Sequence, residues 1–280
     1  MRDLGRWLTV VQASGDTKDT RRILIVTAVD AERDAVLRGL GGDPRFRVIA
    51  AGVGPAAAAA VTAATLAAEG GAEPVSSETS GRAVSGSANA GASAGAAASA
   101  PSAGMPPSAE AAQRPGGYRL VVSAGIAGGF PGRAALGALV VADELIAADL
   151  GVETPGGFAS VDELGFGSSR AGVCTRTAGA LAAALRAAGL PVVTGPVLTV
   201  TTATGTAATA AEHLRRVPEA AAEAMEGFGV AAAARHMGVP VLELRAISNA
   251  VGPRDRDAWR IGDALQALER GCAILKEVLE

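Results

Sequence analysis

The chain has only two cysteines, Cys174 and Cys272, and two histidines, His213 and His236, in 280 residues. They form no metal-ligand spacing, so the sequence predicts no metal site, no disulfide framework and a reduced, cytoplasmic setting. Basic clusters are missing too. The net charge is −3, and no Lys/Arg stripe is present, which argues against nucleic acid as a partner. No apolar run reaches membrane-spanning length without Gly, Pro or charge. The run from Trp7 to Val11 is too short for a signal-peptide core. No internal repeat is found. Aromatic residues are 3% of a chain that is 49% apolar, so its hydrophobicity comes largely from alanine, which adds little bulk.

What remains is an alternation of apolar runs and helical stretches. Residues 1–20 read as a mobile leader. Arg22 to Ala28 reads as a buried strand running into a helix, with Asp30 as its expected N-cap. Glu32 then falls in the first turn, where the helix dipole favours a carboxylate. Phe46 to Ala51 is a short strand, followed by Gly52-Val53-Gly54-Pro55, a tight turn with Pro at a helix start. Such a turn brings backbone N–H groups near an anion or a sugar. It lacks the third glycine and the acidic partner of a dinucleotide site.

Residues 70–117 are Gly, Ala, Ser and Pro with few large apolar side chains. They read as a disordered insertion within one domain spanning 21–280, because such a segment gains too little burial to offset its ordering entropy. A strand resumes at Tyr118 and is expected to end in a glycine-rich loop, Ser123 to Phe130. That loop serves either a sharp bend or the close approach of a ligand. Residues 149–170 read as a long Gly-rich loop, long enough to be functional. Composition alone makes all of Pro218 to His236 helical. The run Leu244-Arg245-Ala246-Ile247-Ser248-Asn249 reads as a buried strand. It breaks at Gly252-Pro253 and leaves Ser248 and Asn249 at the rim, where ligands of open α/β sheets bind. The whole is an α/β chain around one mixed or parallel sheet.

Glu32, Glu226 and Asn249 are each unremarkable alone. Together with the glycine segments they resemble the nucleoside phosphorylase and nucleosidase family, and within it the branch that hydrolyses futalosine. The carriers are Val26-Thr27-Ala28-Val29-Asp30-Ala31-Glu32, Ala51-Gly52-Val53-Gly54, Ser123 to Gly129, Ala224-Met225-Glu226 and Arg245 to Asn249. The resemblance covers 22–69 and 118–280. It implies a three-layer α/β sandwich around a central mixed β-sheet, nucleoside phosphorylase-like. It also implies hydrolysis of the N-glycosidic bond of a small nucleoside without cofactor, metal or membrane, by a homo-oligomer, a dimer or a multiple of it. The alternative is another purine nucleosidase or phosphorylase of that fold.

By the same resemblance, Glu32 activates water, Glu226 binds the ribose hydroxyls and Asn249 meets the N7 side of the purine. Gly125, Ile126 and Gly128 flank sugar and base. Ala28, Met225 and Ser248 complete the substrate-binding set, with Trp259 as the aromatic that follows Asn249 by about ten residues. The resemblance also starts the second-to-last helix near Gly227. Two departures bear on the reaction. Adenine-releasing relatives carry aspartate where this chain has Asn249, whose amide offers a donor to O6 and an acceptor to N7–H, as a 6-oxopurine requires. Phosphorylases carry an arginine and a serine where this chain has Ser123 and Ile126, which favours water as nucleophile. Arg254, Arg256 and the 149–170 loop are the candidates for gripping the far end of the substrate.

Overall fold

A computed structural model describes residues 21–70 and 117–280. The leader expected over 1–20, and nearly all of the insertion expected over 70–117, lie outside the described residues. β1 (Arg22–Thr27) pairs in parallel with both β2 (Phe46–Ala50) and β3 (Tyr118–Gly129).

β1 shows why the sheet is covered on both faces. Successive side chains of a strand point to opposite sides. Ile23 and Ile25 join one apolar cluster with α1 (Asp30–Leu40), α3 (Thr175–Ala187) and α6 (Ile261–Val278). Leu24 and Val26 join another with α2 (Pro55–Gly70) and α5 (Gly227–His236). Two helical layers with a sheet between them follow, the expected sandwich. The sheet is mixed. β3–β10 (Val241–Ala250), β4 (Leu139–Ala147) with β8 (Val192–Thr199), and β8 with β9 (Ala222–Ala224) are parallel. β10–β4 and β3–β9 are antiparallel. Because β3 meets both β10 and β9, the strands β3, β10, β4, β8 and β9 close into a ring, leaving β1 and β2 as an open wing.

Four expectations change. The glycine segment Ser123 to Phe130 is not a loop, because β3 runs on to Gly129, paired with β10 from Val121 to Gly129. Asp30 does not cap α1. Val29 holds the N-cap position, and the Glu32 side chain returns to the backbone there. The 149–170 stretch is structured: β5 (Gly151–Thr154) and β6 (Gly157–Ser160) form a hairpin about Pro155-Gly156, and β7 (Arg170–Gly172) pairs with β4. Pro218 to His236 is divided by β9, with α5 starting at Gly227 as the family resemblance implied. After α4 (Ala207–Arg216), the pairing of β9 with β3 and β8 overrides the helix preference of its alanines.

Candidate active site

Where the carboxyl ends of β1, β3 and β10 meet the β9–α5 junction, they surround a cavity of about 390 Å³. That falls at the lower end of the usual range for small-molecule sites. Ala28, Glu32, Ile126, Gly128, Met225, Glu226, Ser248, Asn249 and Trp259 all line it. Residues more than 200 positions apart are thus brought together by the sheet.

Glu32 is 3% exposed. Its Oε2 accepts from the N–H of Ala28 at 2.9 Å and of Val29 at 3.2 Å, and its Oε1 accepts from the N–H of Ile126 at 2.8 Å. A carboxylate has about four acceptor sites. Three are used by backbone, and one on Oε1 remains for a further donor in the cavity. Glu32 therefore caps the first turn of α1 and at the same time faces the cavity.

Gly125 does not line the cavity, unlike its neighbours in the set. Its contribution is the missing side chain. A Cβ there would lie 2.5 Å from Glu32 Oε1 and 2.7 Å from Arg245 Nη1, far inside contact distance. Its bare backbone lets carboxylate and guanidinium sit over β3.

Glu226 accepts from the N–H of Gly54 at 3.2 Å and is paired with Arg245 Nη2 at 3.2 Å. The Gly52-Val53-Gly54 turn, whose two glycines have φ of +92° and +96°, does bring an N–H to an anion. The anion is the protein's own Glu226. Arg245, 1% exposed, also donates from Nε to Glu243 at 2.8 Å and from Nη2 to Ser123 Oγ at 3.0 Å. Burial works against its charge, but Glu243 and Glu226 outweigh that and hold the guanidinium above its usual value. Burial pushes the Glu243 carboxyl above the usual carboxylate range, with Arg245 pulling the other way. A buried charge persists only when paired in this manner. Sequence reasoning treated Arg245 as part of a motif; the structure makes it the post to which Glu226 is tied. Ser123 is fully buried beneath this cluster and does not line the cavity. Ile126 does face the cavity.

The end of β10 is bent by a bulge. Ile247 pairs with Ala127 and Asn249 with Gly128, so Ser248 is the extra residue. Bulges re-aim side chains and are frequent beside active sites. Ser248 Oγ donates to Asn249 Oδ1 at 2.8 Å, and Asn249 Nδ2 donates to the carbonyl of Ala250 at 3.0 Å. A carbonyl only accepts, so the NH2 side of the amide is fixed. One N–H and one lone pair of Asn249 remain for a ligand.

Glu223 was missed by sequence reasoning. It lines the cavity and accepts from the backbone N–H of Thr204 at 2.8 Å and from its hydroxyl at 2.5 Å, with His213 Nδ1 3.3 Å away. This cluster holds the threonine turn against β9. The sequence hid it: Glu219, Glu223 and Glu226 recur at i, i+4 and i+7, the spacing of one solvated helix face. The 149–170 region contributes no cavity residue among the described ones. Arg254 lines the cavity; Arg256 does not.

Over 273 residues the chain is 45% identical to the futalosine hydrolase of Streptomyces coelicolor, covering 92% of this chain and 96% of that one. The Phosphorylase superfamily pattern matches residues 30–280. The chain belongs to the Phosphorylase superfamily and, within it, to the futalosine hydrolase family. Among solved structures it resembles the futalosine hydrolase of Helicobacter pylori strain 26695, with TM-score 0.64, 15% identity, and 93% of this chain and 97% of that chain covered. It also resembles the 5′-methylthioadenosine/S-adenosylhomocysteine nucleosidase of Neisseria meningitidis in complex with methylthio-immucillin-A. There the TM-score is 0.63 at 16% identity, over 91% of this chain and 98% of that chain. At such identities the likeness is one of fold. It bears out the α/β architecture with a mixed central sheet that the family resemblance implied.

Proposed function

We infer that this member of the futalosine hydrolase family hydrolyses the N-glycosidic bond of futalosine, releasing hypoxanthine. The observation that carries the reading is the 45% identity to the Streptomyces coelicolor futalosine hydrolase over nearly the full length of both chains. The cavity agrees with it, since it holds two separately anchored carboxylates and an amide at its rim. Glycosidic cleavage passes through an oxocarbenium-like sugar. In this reading water donates a hydrogen bond to the remaining acceptor site of Glu32, attacks C1′ and gives its proton to that carboxylate. The C1′–N bond breaks and the purine leaves with the bonding electrons. Glu226, tied to Gly54 and Arg245, accepts from the ribose hydroxyls and keeps the sugar in register. The free N–H of Asn249 donates to O6 and stabilises the departing base, which leaves as the anion and takes its proton from solvent; once N7 carries that proton, the free lone pair of Asn249 accepts from it.

Val29 and Val53 line the cavity, and are 41% and 57% exposed. Apolar exposure at the edge of a site supports a homo-oligomer in which a second copy covers that edge, to be checked by light scattering. The scarcity of cysteine supports a cytoplasmic setting. Among the described residues no helix is long and apolar enough to cross a membrane. The reaction is tested by incubation with futalosine in phosphate-free buffer while free base is followed. Hypoxanthine release at an undiminished rate is expected. A requirement for phosphate, or release of base from methylthioadenosine but not futalosine, would overturn the reading.

A further inference from the structure

Three carboxylates face the cavity and each is already engaged: Glu32 by backbone N–H groups, Glu226 by Gly54 and Arg245, and Glu223 by Thr204 and His213. Among the described residues the one cation in the lining is Arg254. Its condition is the opposite: it makes no ion pair or hydrogen bond among the described residues, although the exposed Asp255 and Asp257 lie close by in the chain. It is nevertheless held in place. The stem runs against the threonine turn, where a Cβ on Gly205 would lie 3.7 Å from its Cγ and Cδ. The guanidinium carbon lies 5.5 Å from the centre of the Trp259 ring, which lines the same cavity. Stacking on an aromatic face orients a guanidinium while leaving its in-plane N–H donors unspent. A flat apolar group ending in a carboxylate matches this pair, with the indole against the ring and the guanidinium fork on the two oxygens.

We propose that Arg254 and Trp259 form the specificity subsite for nucleosides bearing an aryl carboxylate outside the sugar and base, with Arg254 binding the carboxylate. The proposal rests on the nucleosidase reading above. Arg256 lies 5.7 Å over the same indole but does not line the cavity, so it serves as the control.

The test compares futalosine, whose far end is a benzoate, with its methyl ester, which has the same body without the charge. Wild type, Arg254→Met and Arg256→Met are assayed as full-length proteins, with folding checked by circular dichroism. Wild type is expected to prefer the acid by about 10–100-fold in kcat/KM, as a charge-assisted hydrogen-bond pair provides. Arg254→Met is expected to erase that preference through KM, leaving kcat within about twofold. Arg256→Met is expected to keep it. No preference for the acid in wild type overturns the proposal. So does an equal loss on acid and ester in Arg254→Met, which would place the arginine on the sugar or base. If wild type releases base from neither compound, the hydrolysis reading fails by itself. The subsite is then decided by calorimetric titration with the same two compounds: selective weakening of acid binding by Arg254→Met supports it, and equal weakening or none overturns it.

Discussion

At the inner wall of the cavity, Glu32 and Glu226 take hydrogen bonds from backbone N–H groups and from a fully buried arginine. At the rim, Arg254 and Trp259 hold one another through a ring face and stand partly in solvent. The inner wall leaves little freedom, because every partner of Glu32 is main chain and moves only with β1, β3 or α1. The rim is made of side chains on a short irregular segment after β10, which can change without disturbing the sheet. The groups proposed for the bond-breaking step thus sit where the fold itself positions them. The groups proposed to select the substrate sit where substitution is cheap.

The largest effect that would test this contrast is expected from Glu32→Gln. The amide keeps the shape but cannot take a proton from water, and its NH2 must face at least one of three backbone donors. Turnover is expected to fall on the order of 10²–10⁴-fold, the range for a positioned general base, and the melting temperature should fall as well. Arg254→Met, by contrast, should leave kcat alone. Single-turnover rates and calorimetric melts measure the two consequences. Loss of stability with near-normal turnover would reduce Glu32 to a cap of α1.

Gly125→Ala is expected to come next. It touches no ligand, yet its Cβ would press on both Glu32 and Arg245. Overpacking of a rigid site typically costs about 1–3 kcal/mol. If that cost is felt in full at the reacting geometry, kcat falls roughly 5- to 150-fold while KM stays close to wild type. A variant with unchanged kcat would show that the inner wall yields more readily than its backbone anchoring implies.

The extent to which the sequence disclosed these arrangements follows from what each depends on. Glu32, Glu226 and Asn249 were legible because each stands at the end of a recognisable motif, and motif order is preserved in the fold. Arg245 was read as motif rather than as anchor, since its role depends on partners at Ser123 and Glu226 that only strand pairing brings near. Three glycines in five residues read as a loop because local preference favours bends; the pairing of β3 along β10 overrides it. The 149–170 hairpin was hidden because its strands are four residues each and half-exposed, with no alternation to detect. The bulge at Ser248 had no sequence signal, since it is a mismatch between two strands rather than a property of either.

Asn249→Asp is expected to have the smallest effect and to say most about the rim. Nδ2 donates to the Ala250 carbonyl and Oδ1 accepts from Ser248. The substitution places a carboxylate oxygen against that carbonyl, so the side chain loses its anchor as well as its free donor. A fall in futalosine hydrolysis alone therefore has two explanations, displacement of the side chain or loss of contact with O6. The ratio of kcat/KM for futalosine to that for its 6-amino counterpart separates them. Displacement penalises both substrates and cancels in the ratio. Loss of the donor penalises only the 6-oxopurine, while a carboxylate can accept from a 6-amino group. Buried hydrogen-bonding sites discriminate by up to roughly 10⁴-fold. Asn249 is only half-buried, so water can satisfy part of the unpaired edge, and a shift of about tenfold toward the amino substrate is expected. An unchanged ratio would mean that Asn249 supports the rim without reading the base, and selection would then pass to the threonine turn held by Glu223.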